Sequence, residues 1–389
     1  MTTIANILKE LYPGKDVADQ LNEDAVGYKR IEGTSAGVTT EVGGKYVTFP
    51  IRTRRNSGIG YRNELEQLQA AGQQGFASVR IGLTYGYGRI RMSGPSMELA
   101  ESNPQAFVNA MTAEIDGIKT DLLKDTNRIF YQDGTGTMAV LTTAPAAATT
   151  FTVASIQYLN LGDVIDIFTL PSTNKATART ITAINDTTNV ITVDAAVTAA
   201  IGDVVVRTGD LSREPNGLAA IVAATGTLYN IDPTVEPVWK STVDSSGGAL
   251  SEGQIIKNID TMRTKGGGKP TLLIADLGTR RAYFNLLTQQ RRYVNATKFD
   301  GGLQGLAFNY GTEIPLVEDV DATPQTLHGL NEKKIKIYRD QVWHWSQKDG
   351  QMWKWVDNFD AYEALLVQYW QIGIEQRNCF MKMTGITAG

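Results

Sequence analysis

Between Tyr46 and Gly134 the chain spells out a long basic hairpin followed by one long helix, with no nearby segment for either to pack on. Tyr46-Val47-Thr48-Phe49-Pro50-Ile51-Arg52 and the stretch 79–92 are rich in strand formers and read as the two limbs of the hairpin. The tip between them, 58–75, is dominated by Gly, Gln, Ala, Asn and Glu, too polar to build a core and longer than an ordinary hairpin loop. Two isolated strands are marginal in water, so a chain that keeps such an arm is expected to lay it on a partner. A mobile surface loop is the plain alternative. The helix has clear punctuation: Ser102-Asn103-Pro104-Gln105 combines a cap candidate, a first-turn proline and a capping-box glutamine. Phe107, Met111, Ile115, Ile118, Leu122 and Ile129 then form an apolar stripe, and Asp133-Gly134 ends it. At 1.5 Å per residue such a helix is roughly 40 Å long, a spine rather than an average domain helix.

Charge sharpens this reading. Lys+Arg 37 against Asp+Glu 41 leaves the chain at −4, so wholesale wrapping of nucleic acid is not indicated. The arm is nevertheless basic, with Arg52, Arg54, Arg55, Arg62, Arg80, Arg89 and Arg91 against only Glu64 and Glu66. These nine residues are the candidate subunit-contact set, with acidic neighbouring subunits as the simplest partner and phosphate as the rival. The 389 residues, 42% hydrophobic and 20% charged, allow two or three ordinary soluble domains. Cys379 stands alone, which rules out an intrachain disulfide, and with only His328 and His344 a thiolate or imidazole metal cage has too few ligands. No cofactor is implied. The first ten residues lack a basic and an apolar signal region, and no stretch approaches a membrane span, so a soluble, intracellular setting is expected.

Residues 1–45 hold a short amphipathic start, with Ile4, Leu8 and Leu11 at helical spacing, and then a glycine-rich polar tract read as an extended arm. After the linker Ala144-Pro145-Ala146-Ala147-Ala148 the composition shifts to Thr, Ala, Val and Ile as far as Gly209. Short strands are expected at 151–153, 164–168, 178–184, 190–193 and 204–207, with a turn at Asn185-Asp186-Thr187-Thr188-Asn189. Leu161-Gly162-Asp163-Val164-Ile165 recurs as Ile201-Gly202-Asp203-Val204-Val205, a turn-then-strand unit used twice, and a small inserted β-barrel fits best. Beyond it Ser251-Glu252-Gly253-Gln254 opens a helix that Gly266-Gly267-Gly268 stops, a strand follows at 270–274, and Asp276 or Thr279 caps a second helix flanked by Arg280, Arg281, Arg291 and Arg292. Strands at 334–338 and 341–347 precede an Asp349-Gly350 turn and a return strand 351–356; that register sets His344 opposite Trp355 and Ser346 opposite Trp353.

Motifs for chemistry fail on context. Gly33-Thr34-Ser35-Ala36-Gly37 matches a nucleophile elbow, with His328 or His344 available to complete a triad, but lacks the strand before and the helix after. Gly134-Thr135-Gly136-Thr137-Met138-Ala139 matches a dinucleotide fingerprint, yet it follows a helix and reads as a helix stop. In Gly266-Gly267-Gly268-Lys269-Pro270 proline stands where a phosphate loop needs Ser or Thr. Asp357-Asn358-Phe359-Asp360 with Glu363 lacks the glycine of a calcium loop and leaves at most a weak surface cation site. No catalytic constellation stands out, and the chain reads as a non-enzyme.

The order of arm, basic hairpin, spine helix, inserted β module and α/β domain resembles the major capsid protein of tailed double-stranded-DNA bacteriophages, an α+β fold shared with encapsulins. The telling pieces are 102–134, Pro270-Thr271-Leu272-Leu273-Ile274-Ala275-Asp276 with its following helix, and 360–386. The resemblance implies an N-terminal arm at 1–45, an extended loop at 46–93, a peripheral domain at 94–142 returning at 361–389, an inserted domain at 143–209 and an axial domain at 210–360. It further implies pentamers and hexamers of an icosahedral shell around double-stranded DNA, a separate scaffolding protein and portal, room for a decoration protein, no membrane, assembly in the host bacterial cytoplasm and a final place in the virion capsid. An encapsulin-like cargo compartment is the rival. Some family members weld subunits through an extended-loop lysine and a neighbour's asparagine. No lysine lies between Tyr46 and Ile118, so a non-covalent shell is expected here.

Overall fold

The structure, a computed structural model, describes residues 25–33, 38–39, 46–95, 104–291, 306–311, 313–347 and 350–389. The amphipathic start, Ser35 of the elbow, the Ser102-Asn103 cap, Arg292 and Asp349 lie outside the described residues, as do the side chains of Phe107 and Met111. The chain divides into two compact units, one built from the stretch up to Tyr131 together with Ile221–Gly389, the other from Gln132–Ala220.

Among the described residues the larger unit begins with helix α1 (Val26–Gly33) and the short strand β1 (Val38–Thr39). Strands β2 (Tyr46–Arg54) and β3 (Gly75–Gly82) then pair antiparallel as a separate two-stranded ribbon, with a bulge between Arg52 and Arg54. The return limb does not run unbroken to Met92 as expected. It stops at Gly82, and β4 (Thr84–Ser93) leaves for another sheet. The reason is burial: Gly88, Ile90 and Met92 alternate inward, and Ile118 and Leu122 of the spine helix α2 (Pro104–Tyr131) cover Gly88. The 28 residues of α2 span about 42 Å. Its alternation of exposed and half-buried positions from 114 to 125 gives way to burial on every side from Thr126 to Tyr131, where the helix end is surrounded.

The second unit is a closed barrel. Strands β5 (Thr137–Val140), β6 (Ala148–Thr152), β7 (Val164–Thr169), β8 (Thr173–Asn185), β9 (Val190–Val197) and β10 (Val204–Arg207) run in the order β5-β10-β7-β8-β9-β6. A bridge between Leu141 and Val153 joins the ends. Ile165, Ile167, Ile181, Ile191, Val193 and Val205 fill the interior. The repeated turns are geometric copies: Gly162 and Gly202 have φ of 92° and 90°, and the Asp163 and Asp203 carboxylates accept from the Asn160 and Ala200 N–H groups at 2.8 and 2.7 Å. Positive φ is why each turn carries glycine. The unit is wider than 143–209 because β5 is the ladder partner of β10, a pairing local composition does not reveal.

Back in the larger unit, β11 (Thr242–Asp244), α3 (Glu252–Gly266), β12 (Leu272–Ala275), α4 (Leu277–Arg291), β13 (Leu306–Asn309), β14 (Glu313–Glu318) and β15 (Thr326–Leu330) build the expected α/β body. Ser251 and Gln254 form the capping box of α3, and Gly267, at φ 69°, ends it. Ile255, Ile259 and Met262 of α3 and Tyr283 of α4 pack on Leu273, Ala275 and Leu327. Leu272, Ile274 and His328, on the other face of the same sheet, are also buried, so both faces are covered.

The expected hairpin around Gly350 is absent. Strands β16 (Ile335–Arg339), β17 (His344–Trp345) and β18 (Trp353–Trp355) instead line up end to end along one edge of β19 (Ala361–Ile374), whose other edge carries β4. Trp355 thus sits opposite Tyr362 rather than His344, and Trp353 opposite Ala364 rather than Ser346. A fourteen-residue partner strand offers more ladder bonds than a short local turn does. The domain boundary moves with it. Residues 335–355 join the sheet of β4 and β19, while the last strand β20 (Met381–Thr384) returns to the α/β sheet between β11 and β15.

Candidate subunit-contact surfaces

The arm is fixed at its base and unsatisfied at its tip. Val79 and Ile81 are buried, the Arg80 N–H donates to the Tyr229 carbonyl at 3.0 Å, and Ile81 fits against Gly373, where a Cβ would stand 2.6 Å from its methyl. Between Phe49, Ile51 and Arg52 on β2 and Trp239, Tyr338 and Glu375 on the body lies a groove of about 560 Å³, so the first strand stands partly off the domain. Residues 55–74 pair in no strand. Their two limbs touch at Gly58 and Gly72, where a Cβ on either would meet the other's backbone nitrogen at 2.7 or 2.6 Å. An apex turn closes over Asn63 and Glu66: the Asn63 N–H and Nδ2 donate to the Glu66 carboxylate at 3.0 and 2.9 Å, which holds that carboxyl below its usual range.

Around this apex stand Ile59, Tyr61, Leu65 and Leu68, between 79% and 100% exposed. Composition alone describes the tip as polar and misses them; the signal was their recurrence within ten residues of an otherwise apolar-poor stretch. Four such side chains moving out of water release on the order of 6–12 kcal/mol before ordering costs. The tip cannot reach its own sheet for this, because eight residues of β3 carry it roughly 26 Å from the start of β4.

The nine predicted contact residues divide into two groups. Arg54 pairs with Glu236 at 3.0 Å, Arg89 and Arg91 share Glu363 at 3.5 and 2.6 Å, Arg80 lies over the Tyr46 ring at 3.7 Å, and Glu66 holds the apex. All are contacts within the chain. Arg52, Arg55, Arg62 and Glu64 are exposed and have no ion-pair partner among the described residues. Beside Arg89 and Arg91 the open face of the β4–β19 pair carries Tyr85 and Tyr87, both 58% exposed and both edge-on to Tyr369.

The histidines considered for a triad are placed for structure. His328 is enclosed in the α/β sheet with neither ring nitrogen hydrogen-bonded; burial, with Lys382 across the ladder, pushes its pKa down to about 3. His344 lies on β17, its Nδ1 3.0 Å from the Val342 carbonyl. Glu363 of the weak cation motif is engaged by the two arginines, and among the described residues no group of three or more metal-ligating side chains gathers. No helix among them is long and apolar enough to cross a membrane.

The chain is similar in structure to capsid subunits over almost its whole length. It aligns with a subunit of the cyanophage A-1(L) capsid over 95% of this chain and 97% of that one, with TM-score 0.58 and 13% identity. The capsids of the native and the empty GTA particle align over 97% of this chain, and over 95% and 96% of theirs, with TM-scores 0.54 and 0.55 and 8% identity. No protein-family model matches the chain, and no curated protein matches it. At these identities the likeness establishes the fold. It is the α+β capsid fold of tailed phages, carrying an inserted barrel.

Proposed function

We propose that this chain is the major capsid protein of a tailed bacteriophage, a structural subunit whose copies close into an icosahedral shell around double-stranded DNA. The observation that carries the reading is the alignment with capsid subunits at near-complete coverage of both chains. The exposed apex with Ile59, Tyr61, Leu65 and Leu68 supports it independently, since it needs a surface its own chain does not supply. The role is geometric rather than catalytic: many modest interfaces, each repeated by symmetry, add up to a stable closed shell. Pentamers and hexamers are the building blocks, a separate scaffolding protein and a portal act during assembly in the host cytoplasm, and a decoration protein has room to bind. With no lysine in the arm, the subunits are held without covalent links.

Electron microscopy of particles purified from infected cells tests this. Closed shells filled with double-stranded DNA, giving one monomer band on a denaturing gel, are the expected result. Small shells filled with protein point to a cargo compartment instead, a soluble monomer contradicts both, and a ladder of covalent oligomers contradicts the non-covalent shell.

A further inference from the structure

Helix α1 is seated where the two halves of the larger unit meet. On the peripheral side the Tyr28 N–H donates to Asn127 Oδ1 of α2 at 3.0 Å, and the Tyr28 ring meets Trp370 of β19 edge-on at 5.7 Å. On the α/β side the Gly27 N–H donates to Asp319 Oδ2 at 2.7 Å, directly after β14. Arg30 pairs at 2.9 Å with Glu332, itself held by the Thr271 hydroxyl ahead of β12 at 2.9 Å. Glu32 pairs with Arg339 of β16. Gly27 is the point of closest approach: a Cβ there would run into the Tyr131 hydroxyl, and Phe130 stands 3.1 Å away. Any larger residue at this position lifts the helix off its seat.

The seat does not depend on the helix. Asp319 is fully buried, yet apart from Gly27 it accepts from Asn127 Nδ2 at 3.1 Å to each oxygen, from the Tyr131 hydroxyl at 3.0 Å and from the Asp321 N–H at 2.9 Å. The neighbouring Asp321 carboxylate has Asn127 Nδ2 at 2.6 Å and Lys124 Nζ at 2.8 Å. A buried carboxylate that loses one donor of several stays satisfied, so removing α1 leaves Asp319 paired. What α1 adds is a wedge, with Tyr28 and Ile31 buried.

We propose that α1 is a detachable clamp that fixes the angle between the peripheral and α/β halves, so that the N-terminal region sets the shape of the subunit. Docked, it braces α2, β16 and β19 against the residues following β14 and β15. Released, it leaves the halves joined at this point through Lys124, Asn127 and Tyr131 of α2 on Asp319 and Asp321, a narrower joint about which they can tilt. The consequence for particle size rests on the shell reading: one chain must fill non-equivalent positions, and a clamp that opens or closes gives it discrete shapes.

Hydrogen exchange on the full-length chain tests the clamp, and particle imaging tests its consequence. Gly27→Leu is expected to raise exchange across 26–33 at least about a hundredfold while β12 and β15 change less than about threefold. Loss of protection throughout the unit makes α1 part of the core and overturns the proposal, as does unchanged protection at 26–33. The double variant Arg30→Ala with Glu32→Ala removes the pairs with Glu332 and Arg339 and is expected to raise exchange in α1 roughly fivefold; no rise contradicts the clamp. Gly27→Leu particles are expected in more than one diameter, and a single wild-type diameter contradicts the role in shape. If the wild-type chain forms no particles, the shell reading fails while the exchange result stands.

Discussion

The barrel and the arm are both β-rich, both carry arginines and threonines, and both form sheets of their own, yet they end their ladders in opposite ways. In the barrel every strand finds two neighbours, the Leu141–Val153 bridge closes the ring, and the interior is filled from one continuous stretch of chain. In the arm two strands pair only with each other and lead out to an apex whose four large apolar side chains stand in water. Closure removes edges, and a ribbon keeps them. The lesson is that strand composition does not decide whether a β module is self-sufficient. The count of its own ladder partners does.

The contrast breaks most visibly at the apex. Leu65→Asp with Leu68→Asp is expected to abolish particle formation while leaving the thermal midpoint of the free subunit within about 2 °C, because about 3–6 kcal/mol of burial is lost at each copy's contact and none within the chain. Sedimentation and a thermal melt on the same preparation check both halves of that statement. In the barrel the effect should appear in stability instead. Ile167→Ala removes a fully buried side chain and is expected to cost about 2–5 kcal/mol, read by chemical denaturation of the barrel's transition. The segment Gln132–Ala220 expressed alone should melt cooperatively, whereas residues 46–93 alone should show no hairpin.

Acid provides an intermediate effect, through the α/β sheet. Burial keeps the folded His328 neutral down to about pH 3, whereas the unfolded chain takes up a proton near 6.5. Between those values the unfolded state binds the extra proton, so the stability present above pH 6.5 falls as pH drops toward 3. The loss is about 1.4 kcal/mol per pH unit, and His328→Leu is expected to flatten that slope in denaturation curves taken between pH 6.5 and 4.5. The smallest effect is expected at Glu363→Gln. It loosens the surface pairs with Arg89 and Arg91 and should change stability by less than about 1 kcal/mol; a larger loss on assembly than on folding would move those arginines from the in-chain group to the contact group.

Much of the architecture was readable from local signals that agreed with one another. Pro104 and the stripe through Ile115, Ile118 and Leu122 mark the spine, Ser251 and Gln254 mark α3, and the repeated Leu-Gly-Asp-Val and Ile-Gly-Asp-Val turns mark the barrel. What was hidden depends on residues far apart in the chain. Trp353 to Trp355 follow a Gly350 turn signal, but β19 outcompetes that local hairpin and draws β16, β17 and β18 onto one edge. Gly27, Asn127 and Asp319 meet across almost three hundred residues, and nothing in their immediate neighbourhoods announces a shared site. Of the candidate contact residues, the sequence groups all nine on one arm, whereas the structure carries Arg89 and Arg91 away on β4 and gives Arg54, Arg89 and Arg91 partners within the chain. The apolar apex was obscured by the glycine and glutamine around it.

The arm as a bridge between copies is the central claim, and hydroxyl-radical footprinting of the apex tests it most directly. Tyr61, Leu65 and Leu68 should be labelled readily in the free subunit and protected at least about tenfold in assembled shells, while Tyr85 and Tyr87 serve as an exposed reference in the free chain. Equal labelling of the apex in free and assembled protein would contradict the bridge.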